Sequence, residues 1–201
     1  MTNNEIFFSD NNPIFLFKKW LKDAEKKELN DPNAIALATV DSSGLPNVRM
    51  VLLKDIDDGE FIFYTNYGSA KSAEILISGK VAFVIHWKSL RRQVRVRGFV
   101  TKEDGALADK YFRSRSLNSR VGAWASEQSK PIASREKLLK NVEAYSLKLG
   151  SNPKRPNFWG GFRVNPIEIE FWADGEFRLH DRFRWSRKSV NSEWNQIRLQ
   201  P

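Results

Sequence analysis

The sequence predicts a mainly β protein in which short antiparallel strands form one curled sheet with helices on its flanks. Apolar or alternating runs of strand length follow one another closely between residues 34 and 100, and turn signals such as Asp57-Asp58-Gly59 separate them. Strands joined by tight turns pair in antiparallel fashion, whereas a parallel nucleotide-binding sheet needs long crossovers. Because closing such a sheet removes its exposed edges, we expect a barrel.

An amphipathic helix is predicted before the first strand, over residues 13–29. Its apolar residues, among them Phe17 and Trp20, recur at close to helical spacing, and lysines occupy most of the other side. Asn12 suits the N-cap position and Pro13 suits the first helical position. Because strands follow at once, we expect this helix to cover the sheet; attachment to a membrane surface is the alternative.

The remaining elements follow from apolar runs and from the residues that interrupt them. Strands are predicted at Ala34–Val40, Val48–Ile56, Phe61–Thr65, Val81–Trp87, Gln93–Val100 and Phe162–Trp172. Helices are predicted at residues 68–78, 107–115 and 134–149, with residues 116–131 as a connection. In the fifth strand, Val94 and Val96 should face the core while their polar neighbours face outward. No internal repeat or domain boundary is visible, so we expect a single domain over residues 1–201.

The most unusual group of cations lies near the end of the chain, in Arg178-Leu179-His180-Asp181-Arg182. We expect a strand over residues 176–185, after a tight turn at Asp174-Gly175. Strand alternation would place Arg178, His180 and Arg182 on one face. Two guanidiniums beside an imidazole could receive an anionic ligand that exchanges a proton. A solvated edge strand is the alternative.

The charge balance indicates anionic partners. The chain has 33 Lys and Arg against 24 Asp and Glu, which gives a net charge of +9. These cations are spread over the predicted strands and helices and are not gathered in a tail, so a phosphorylated small molecule is favoured over nucleic acid.

The residue types exclude several kinds of chemistry. Cysteine is absent, which excludes disulfides, thiolate metal ligands and a cysteine nucleophile. The two histidines, His86 and His180, lie far apart without a carboxylate cluster at ligand spacing, so we expect no metal. No apolar run could span a bilayer, and the first residues lack the pattern of a signal peptide. We therefore expect a cytoplasmic protein without a membrane partner.

A candidate phosphate site lies where the third strand meets the second helix. Tyr64-Thr65-Asn66 and then Gly68-Ser69-Ala70-Lys71 offer hydroxyls, backbone amides and one cation there. Helix N-termini bind phosphate through free amides. Because many helices begin with Gly-Ser, this signal is not specific for phosphate. Further along the chain, Tyr111 and Arg115 are four residues apart and Ser119 follows them. A ring, a guanidinium and a hydroxyl could hold a flat anion, but a surface stacking pair is the commoner arrangement.

Seven segments together resemble the pyridoxamine 5'-phosphate oxidase family. They occur in the family's order from about residue 14 to the end of the chain, where Arg198-Leu199-Gln200-Pro201 also resembles the family's terminus. The segments are Arg49-Met50-Val51-Leu52-Leu53-Lys54, Phe63-Tyr64-Thr65-Asn66, Arg92-Gln93-Val94, Tyr111-Phe112-Arg113-Ser114-Arg115, Gly122-Ala123-Trp124, Phe158-Trp159-Gly160-Gly161-Phe162-Arg163 and Arg178-Leu179-His180-Asp181-Arg182.

The resemblance implies a fold, a cofactor and two sets of site residues. The fold would be an antiparallel split β-barrel homodimer with FMN at the subunit interface, in which residues from about 158 to 201 complete the active site. FMN would be held by Arg49, Met50, Val51, Leu52, Tyr64, Thr65, Lys71, Gln93, Gln128, Ser129, Trp172 and Arg182. The substrate would be held by Lys54, Tyr111, Arg115, Ser119, Arg178 and His180, and the last two would be catalytic.

The implied reaction belongs to vitamin B6 metabolism. Pyridoxamine or pyridoxine 5'-phosphate would lose a hydride equivalent to flavin N5, and O2 would reoxidise the flavin to give pyridoxal 5'-phosphate and hydrogen peroxide. A related split-barrel flavoprotein with another substrate, or a non-enzymatic carrier of flavin or pyridoxal phosphate, is the alternative. A nucleic-acid-binding module is more distant.

One position departs from the family pattern. Ala70 stands where the family usually has arginine, directly before Lys71. A charge-assisted contact contributes about 1.5–3 kcal/mol. We therefore expect weaker FMN binding unless another cation compensates.

Overall fold

The computed structural model describes residue 8 and residues 10–201, which form an antiparallel barrel flanked by helices. Its strands are β1 (Ala34–Val40), β2 (Pro46–Asp57), β3 (Glu60–Asn66), β4 (Lys80–Trp87), β5 (Arg92–Glu103), β6 (Trp159–Ala173), β7 (Asp181–Ser186) and β8 (Asn195–Leu199). Its helices are α1 (Pro13–Lys27), α2 (Ala70–Ser78), α3 (Ala106–Ser114), α4 (Leu117–Ala125) and α5 (Arg135–Leu149).

The sheet closes as the sequence predicted. The strand order is β3-β2-β1-β4-β5-β6-β7-β8, and β3 also pairs with β6. The strands from β1 to β6 therefore form a closed barrel, and β7 and β8 extend the sheet beyond it. In β5, Val94 and Val96 are buried while Arg95 and Arg97 are exposed. The alternation expected for this strand is confirmed.

Helix α1 packs its apolar face on the barrel. The side chain of Asn12 accepts a hydrogen bond from the amide of Ile14 at 2.9 Å, so the predicted N-cap is confirmed. The ring centroid of Phe17 lies 4.8 Å from that of Phe61, and the ring of Trp20 lies 5.1 Å from that of Phe171. This face is buried in the core. No helix in the described part of the chain is long and apolar enough to cross a membrane.

Strand β5 bends where it pairs with β6. The register shifts between Arg97 and Gly98. A Cβ atom on Gly98 would lie 2.2 Å from the backbone oxygen of Asn165, so only glycine fits at this approach. A bulge of this kind increases the local bend that a closed barrel requires.

Two predictions about elements were wrong. Residues 176–178 form a short 3₁₀ turn, and the strand begins only at Asp181. Phe177 and Arg178 have φ angles of 55° and 63°, so the backbone leaves the extended region there. Arg178, His180 and Arg182 do not share one strand face, and Asp174-Gly175 is not a tight turn between strands. The segment 116–131 is also not a simple connection, because it contains α4.

Candidate active site

A cavity of about 520 Å³ opens beside β2 and β3, and we call it the central cavity. It brings together eleven of the predicted site residues, from five different elements and the loop after α4. They are Met50, Val51, Leu52, Lys54, Tyr64, Thr65, Lys71, Tyr111, Arg115, Ser119 and Gln128. Residues that lie far apart in the sequence therefore line one space in the folded chain.

Lys71 is a buried cation in the wall of this cavity. Its Nζ donates hydrogen bonds to Thr65 Oγ1 at 3.1 Å, to Ser69 Oγ at 3.1 Å and to Gln128 Oε1 at 2.8 Å. All three acceptors are uncharged. Burial, together with the nearby positive charge of Arg49, lowers the pKa of Lys71 to about 8, although Glu74 opposes this shift. A buried ammonium whose hydrogen-bond acceptors are all neutral is suited to bind an anion.

Lys71 belongs to the first turn of α2, whose amides could bind the same anion as its ammonium. Ser69 is the N-cap, and its side chain does not cap the helix; its hydroxyl donates instead to the backbone oxygen of Asn66 at 2.7 Å. Among the described residues, the amides of Ala70 and Lys71 have no hydrogen-bond acceptor. Free amides at a helix N-terminus favour phosphate. The methyl group of Ala70 adds no charge to this site.

Arg49 lies next to the central cavity without lining it. Its NH2 forms an ion pair with Glu74 Oε2 at 3.1 Å, and its NH1 bonds the hydroxyl of Thr39. Glu74 also accepts from Asn47 at 3.1 Å and from Thr39. These hydrogen bonds from neighbours lower the pKa of Glu74 in spite of the opposing effect of burial. The guanidinium of Arg49 is therefore fixed in place by a carboxylate that remains ionised.

Aromatic rings and a second cation also line the central cavity. The ring of Tyr64 stacks on Tyr111 with centroids 4.2 Å apart, and Trp159 lies parallel to Tyr64 at 5.6 Å. The guanidinium of Arg115 lies 4.8 Å from the ring centroid of Trp159. Arg115 NH1 is buried and has no hydrogen-bond partner within the described part of the chain. Burial lowers the pKa of Arg115.

Two more of the residues predicted to bind the substrate, Lys54 and Ser119, also line the central cavity. The ammonium of Lys54 is 6.0 Å from the ring centroid of Tyr111. The hydroxyl of Ser119 lies in α4, where Ser116 donates to it at 2.8 Å. Ser116 caps that helix by accepting from the amide of Ser119 at 3.2 Å. Helix α4 thus places Ser119 in the cavity wall.

The other predicted residues do not line the central cavity. Ser129 follows Gln128 with a φ of 72°. Gln93, Trp172, Arg178, His180 and Arg182 form a separate group, which we call the C-terminal cluster. Trp172 pairs with Gln93 on β5 and with Arg182 on β7. The ring of Trp172 lies 4.7 Å from that of His180, and Arg178 and His180 line a second cavity of about 480 Å³.

Arg182 is held in the C-terminal cluster by a buried carboxylate. Its Nε and NH2 both donate to Glu170 Oε1, at 3.0 Å and 2.8 Å. Its NH1 donates to the backbone oxygen of Gln200 at 3.0 Å, which ties β7 to the end of the chain. Glu170 also pairs with Arg95 at 3.3 Å. These hydrogen bonds hold the guanidinium of Arg182 in place within the C-terminal cluster.

Five residues that line the central cavity were not among those assigned to FMN or to the substrate. They are Asn66, Gly122, Ala123, Ser126 and Trp159. Each adjoins or lies within a segment that shows the family resemblance, except Ser126, which follows directly after α4. The backbone oxygen of Ser126 accepts from the side chain of Asn66 at 3.2 Å, and this contact fixes the cavity wall. The position of these residues in or next to the family-like segments was the signal that could have identified them.

The residues of the central cavity fit FMN and a second phosphorylated ligand. The first anion-binding group is Lys71 with the first-turn amides of α2, and Arg49 lies beside it. The second is Arg115, with its unpaired NH1, and Lys54. Aromatic rings between two such groups suit planar ligands. Among the described residues there is no group of His, Cys, Asp and Glu side chains that could hold a metal ion.

The comparisons with known proteins agree with this site. Residues 21–148 match the family described as "Pyridoxamine 5'-phosphate oxidase". Residues 159–201 match the region described as "Pyridoxine 5'-phosphate oxidase C-terminal dimerisation region". A pyridoxine/pyridoxamine 5'-phosphate oxidase of Cereibacter sphaeroides is 63% identical over 194 residues, which are 96% of this chain and 97% of that protein. The protein of that name from Ruegeria sp. (strain TM1040) is 60% identical over 201 residues, with 100% of both chains covered.

Solved structures define the fold class. PhzG from Burkholderia lata 383, in complex with tetrahydrophenazine-1-carboxylic acid, has a TM-score of 0.89 and 33% identity, and covers 96% of this chain and 94% of its own. A pyridoxamine 5'-phosphate oxidase-related, FMN binding protein from Nostoc punctiforme has a TM-score of 0.76 and covers 96% of this chain and 100% of its own. Its 17% identity supports the fold alone. The chain is thus a split-barrel protein of the fold found in FMN-binding proteins. It belongs to the pyridoxamine 5'-phosphate oxidase family.

Proposed function

We propose that this protein is an FMN-dependent oxidase that converts pyridoxamine 5'-phosphate or pyridoxine 5'-phosphate to pyridoxal 5'-phosphate. O2 is the electron acceptor and hydrogen peroxide is formed; with pyridoxamine 5'-phosphate, water is also consumed and ammonia is released. The observation that carries this proposal is that one cavity contains two separate anion-binding groups, Lys71 with the α2 amides and Arg115 with Lys54. An enzyme whose cofactor and substrate each carry a phosphate needs two such groups.

FMN would lie along β2 and β3 with its phosphate at Lys71. The side of β2 that carries Met50 and Leu52 offers apolar contacts, and Thr65 and Gln128 bracket the lysine. When bound, FMN supplies the electron acceptor for the substrate and then passes electrons to O2. The protein's own residues hold the two ligands and move protons.

The substrate phosphate would lie at Arg115, with Lys54, Tyr111 and Ser119 around it. The orphaned NH1 of Arg115 gains an acceptor there, which removes the cost of a buried unpaired donor. Arg178 and His180 would lie over the substrate, orient it and take the proton that its amine or alcohol loses. Both residues are outside the central cavity of their own chain.

We therefore propose a homodimer in which the C-terminal cluster of one subunit completes the central cavity of the other. Trp159 lines the central cavity and Trp172 belongs to the C-terminal cluster, and both lie on β6. At about 3.3 Å per residue, they lie roughly 40 Å apart along this strand. Val48 and Met50 on β2 are 65% and 62% exposed, which suits burial against a partner. Residues 159–201 match a dimerisation region, which also supports this assembly.

The direct test is to purify the protein, add FMN and measure flavin reduction and peroxide formation with pyridoxamine 5'-phosphate. Yellow protein that forms peroxide with this substrate is the expected result. Protein that binds FMN but is not reduced would indicate another substrate or a carrier. Protein that does not bind FMN and binds DNA in a salt-sensitive manner would overturn the proposal. The cytoplasmic location stays a prediction, which cell fractionation tests.

Replacing Arg178 tests the assignment of the C-terminal cluster. Because Arg178 is proposed to contact substrate and not FMN, Arg178→Ala should slow anaerobic flavin reduction by roughly 10²-fold or more while FMN affinity changes little. Stopped-flow absorbance gives the first quantity and fluorescence titration gives the second. Equal losses in both would remove Arg178 from the substrate side.

A further inference from the structure

Asp174 lies between two cations at the edge of the C-terminal cluster. Its Oδ1 is 3.2 Å from Nδ1 of His180, and its Oδ2 forms an ion pair with Arg91. The amide of Asp174 also donates to the backbone oxygen of Arg91 at 3.1 Å, which ties the β4–β5 turn to this segment. The side chain of Asp174 is only 22% exposed. None of the roles assigned above uses this carboxylate.

Nδ1 of His180 has two neighbours that make opposite demands on it. The amide of Gly175 donates a hydrogen bond to Nδ1 at 3.3 Å, which requires a lone pair on that nitrogen. Asp174 Oδ1, at 3.2 Å, requires a proton on Nδ1. Hydrogen bonds to a carboxylate are about twice as strong as those between neutral groups. A small rotation of the imidazole that points Nδ1–H at Asp174 would therefore favour the Nδ1 tautomer and leave a lone pair on Nε2.

We propose that Asp174 is a positioning residue for the oxidation, because it keeps the neutral imidazole of His180 protonated on Nδ1 and so leaves Nε2 free to accept the substrate proton. The ring of Trp172, 4.7 Å away, restrains the imidazole from another side. This inference rests on the proposed role of His180.

The proposed step moves one proton from the substrate to His180. An N–H or O–H bond of the substrate's amine or alcohol breaks, and an N–H bond forms at Nε2 of His180. The two electrons would leave with the carbon-bound hydrogen, and bound FMN would accept them. The alcohol then becomes the aldehyde directly, whereas the amine becomes an imine that water hydrolyses with release of ammonia. The resulting imidazolium lies beside the Asp174 carboxylate, which stabilises the positive charge as it forms. The guanidinium of Arg91 on the other oxygen of Asp174 keeps that carboxylate in place.

The tautomer can be measured directly because the chain contains only two histidines. Long-range ¹H–¹⁵N spectra of ¹⁵N-histidine-labelled, FMN-loaded protein distinguish protonated from unprotonated ring nitrogens. At about pH 9, where imidazoles in general are neutral, we expect His180 to carry its proton on Nδ1. His86, exposed on β4, serves as the internal reference. A proton on Nε2 of His180 in the wild-type protein would overturn the proposal without any variant.

Asp174→Ala leaves Nδ1 with only the Gly175 amide, so the proton should move to Nε2. Arg91→Ala is the matched control, because it removes the other partner of Asp174 and leaves the contact with His180 intact. We expect the tautomer to change in Asp174→Ala alone. An unchanged tautomer in Asp174→Ala would contradict the inference.

The kinetic consequence separates positioning from binding. Asp174→Ala should lower the rate of flavin reduction by roughly 10-fold or more, since a general base with the wrong tautomer cannot take the proton. The KM for pyridoxamine 5'-phosphate and the affinity for FMN should change much less. If His180→Ala leaves flavin reduction unchanged, the proposed role of His180 fails and the catalytic part of this inference fails with it. The wild-type spectrum would still report the contact with Asp174.

Discussion

Lys71 combines burial with an exclusively neutral set of hydrogen-bond acceptors, and this combination makes its charge depend on pH. Its pKa is lowered to about 8 by burial and by Arg49. A bound phosphate would favour the charged form and raise this pKa again. Binding of FMN should therefore be accompanied by proton uptake at alkaline pH.

We predict that the affinity for FMN falls as the pH rises from 7 through 9. The phosphate is a dianion over this range, since its second pKa is about 6, so the change comes from the protein. Fluorescence titrations of FMN at several pH values measure it. Riboflavin, which lacks the phosphate, is the matched control ligand and should show no such loss. A pH-independent dissociation constant for FMN would contradict the assignment of Lys71.

The folding stability of the FMN-free protein should instead increase as the pH rises from 8 to 10. A lysine with a lowered pKa binds fewer protons in the folded state than in the unfolded state, so stability rises with pH there. Urea denaturation of the FMN-free protein measures this contribution. Lys71→Met provides the comparison, because it should lose this part of the pH dependence and bind FMN at least 10-fold more weakly.

A substitution at Ala70 should strengthen FMN binding. Ala70→Arg would place a cation at the first turn of α2 and should tighten FMN binding by roughly 10-fold, or about 1.4 kcal/mol. Glu74 lies one turn further along the helix and would take up part of the new charge. Ala70→Gln adds length without charge and should leave the affinity nearly unchanged. An equal gain in both variants would show that packing, and not charge, is responsible.

For individual residues, the sequence predicted which side chains lie together in the central cavity better than it predicted the contacts that hold them in place. Lys71, Thr65 and Gln128 were assigned together, and they do form one hydrogen-bonded group. The ion pair between Arg49 and Glu74 was not foreseen, because these residues lie on different elements and no local pattern connects them.

Among the elements, the central strands follow their apolar patterns closely, because burial on one face imposes alternation. β1 was predicted with its observed bounds, Ala34–Val40. The prediction for the segment before β7 was wrong because Phe177 and Arg178 adopt left-handed φ angles. Residues other than glycine rarely adopt such angles, so the sequence does not indicate them. Helix α4 was missed because it is short and its apolar residues are interrupted by Asn118, Ser119, Arg120 and Gly122, so no helical period is evident; the structure shows it capped by Ser116 and packed against α5.

Substitution of Gly98 tests whether the bend in β5 requires a glycine. Gly98→Ala should lower the free energy of unfolding by about 1–3 kcal/mol, because its Cβ would collide with the backbone of Asn165 and β6 must shift. Gly122→Ala is the control: its Cβ meets nothing within 4 Å, and alanine favours a helix interior. Urea denaturation midpoints measure both. Equal midpoints in the two variants would show that β6 yields easily at this point.

For the whole molecule, the proposed dimer predicts that two damaged subunits can restore each other. Lys71→Met damages the central cavity and Arg178→Ala damages the C-terminal cluster. In a mixed dimer, one of the two active sites would receive the intact half from each subunit. If subunits mix at random in equal amounts, roughly a quarter of all sites become intact.

Activity of the co-expressed pair, compared with that of each variant alone, measures this recovery. The matched control pairs Lys71→Met with Arg115→Gln, which both lie in the central cavity and leave no site intact. Mixed dimers that form but remain inactive would show that each subunit builds its site alone. The family resemblance implied FMN at a subunit interface, but residue patterns alone could not separate the two groups, because the distance between them depends on how β6 is placed in the barrel.

Strand β6 pairs with β3, β5 and β7 and carries one group of site residues near each end. Its length in residues therefore sets the spacing between the two active sites of the proposed dimer. Inserting or deleting one residue in β6 would reverse which side chains face the core beyond that point and would damage both sites at once. Natural variation in chain length within this family should consequently be confined to connections such as residues 187–194, and strand β6 should keep a constant length.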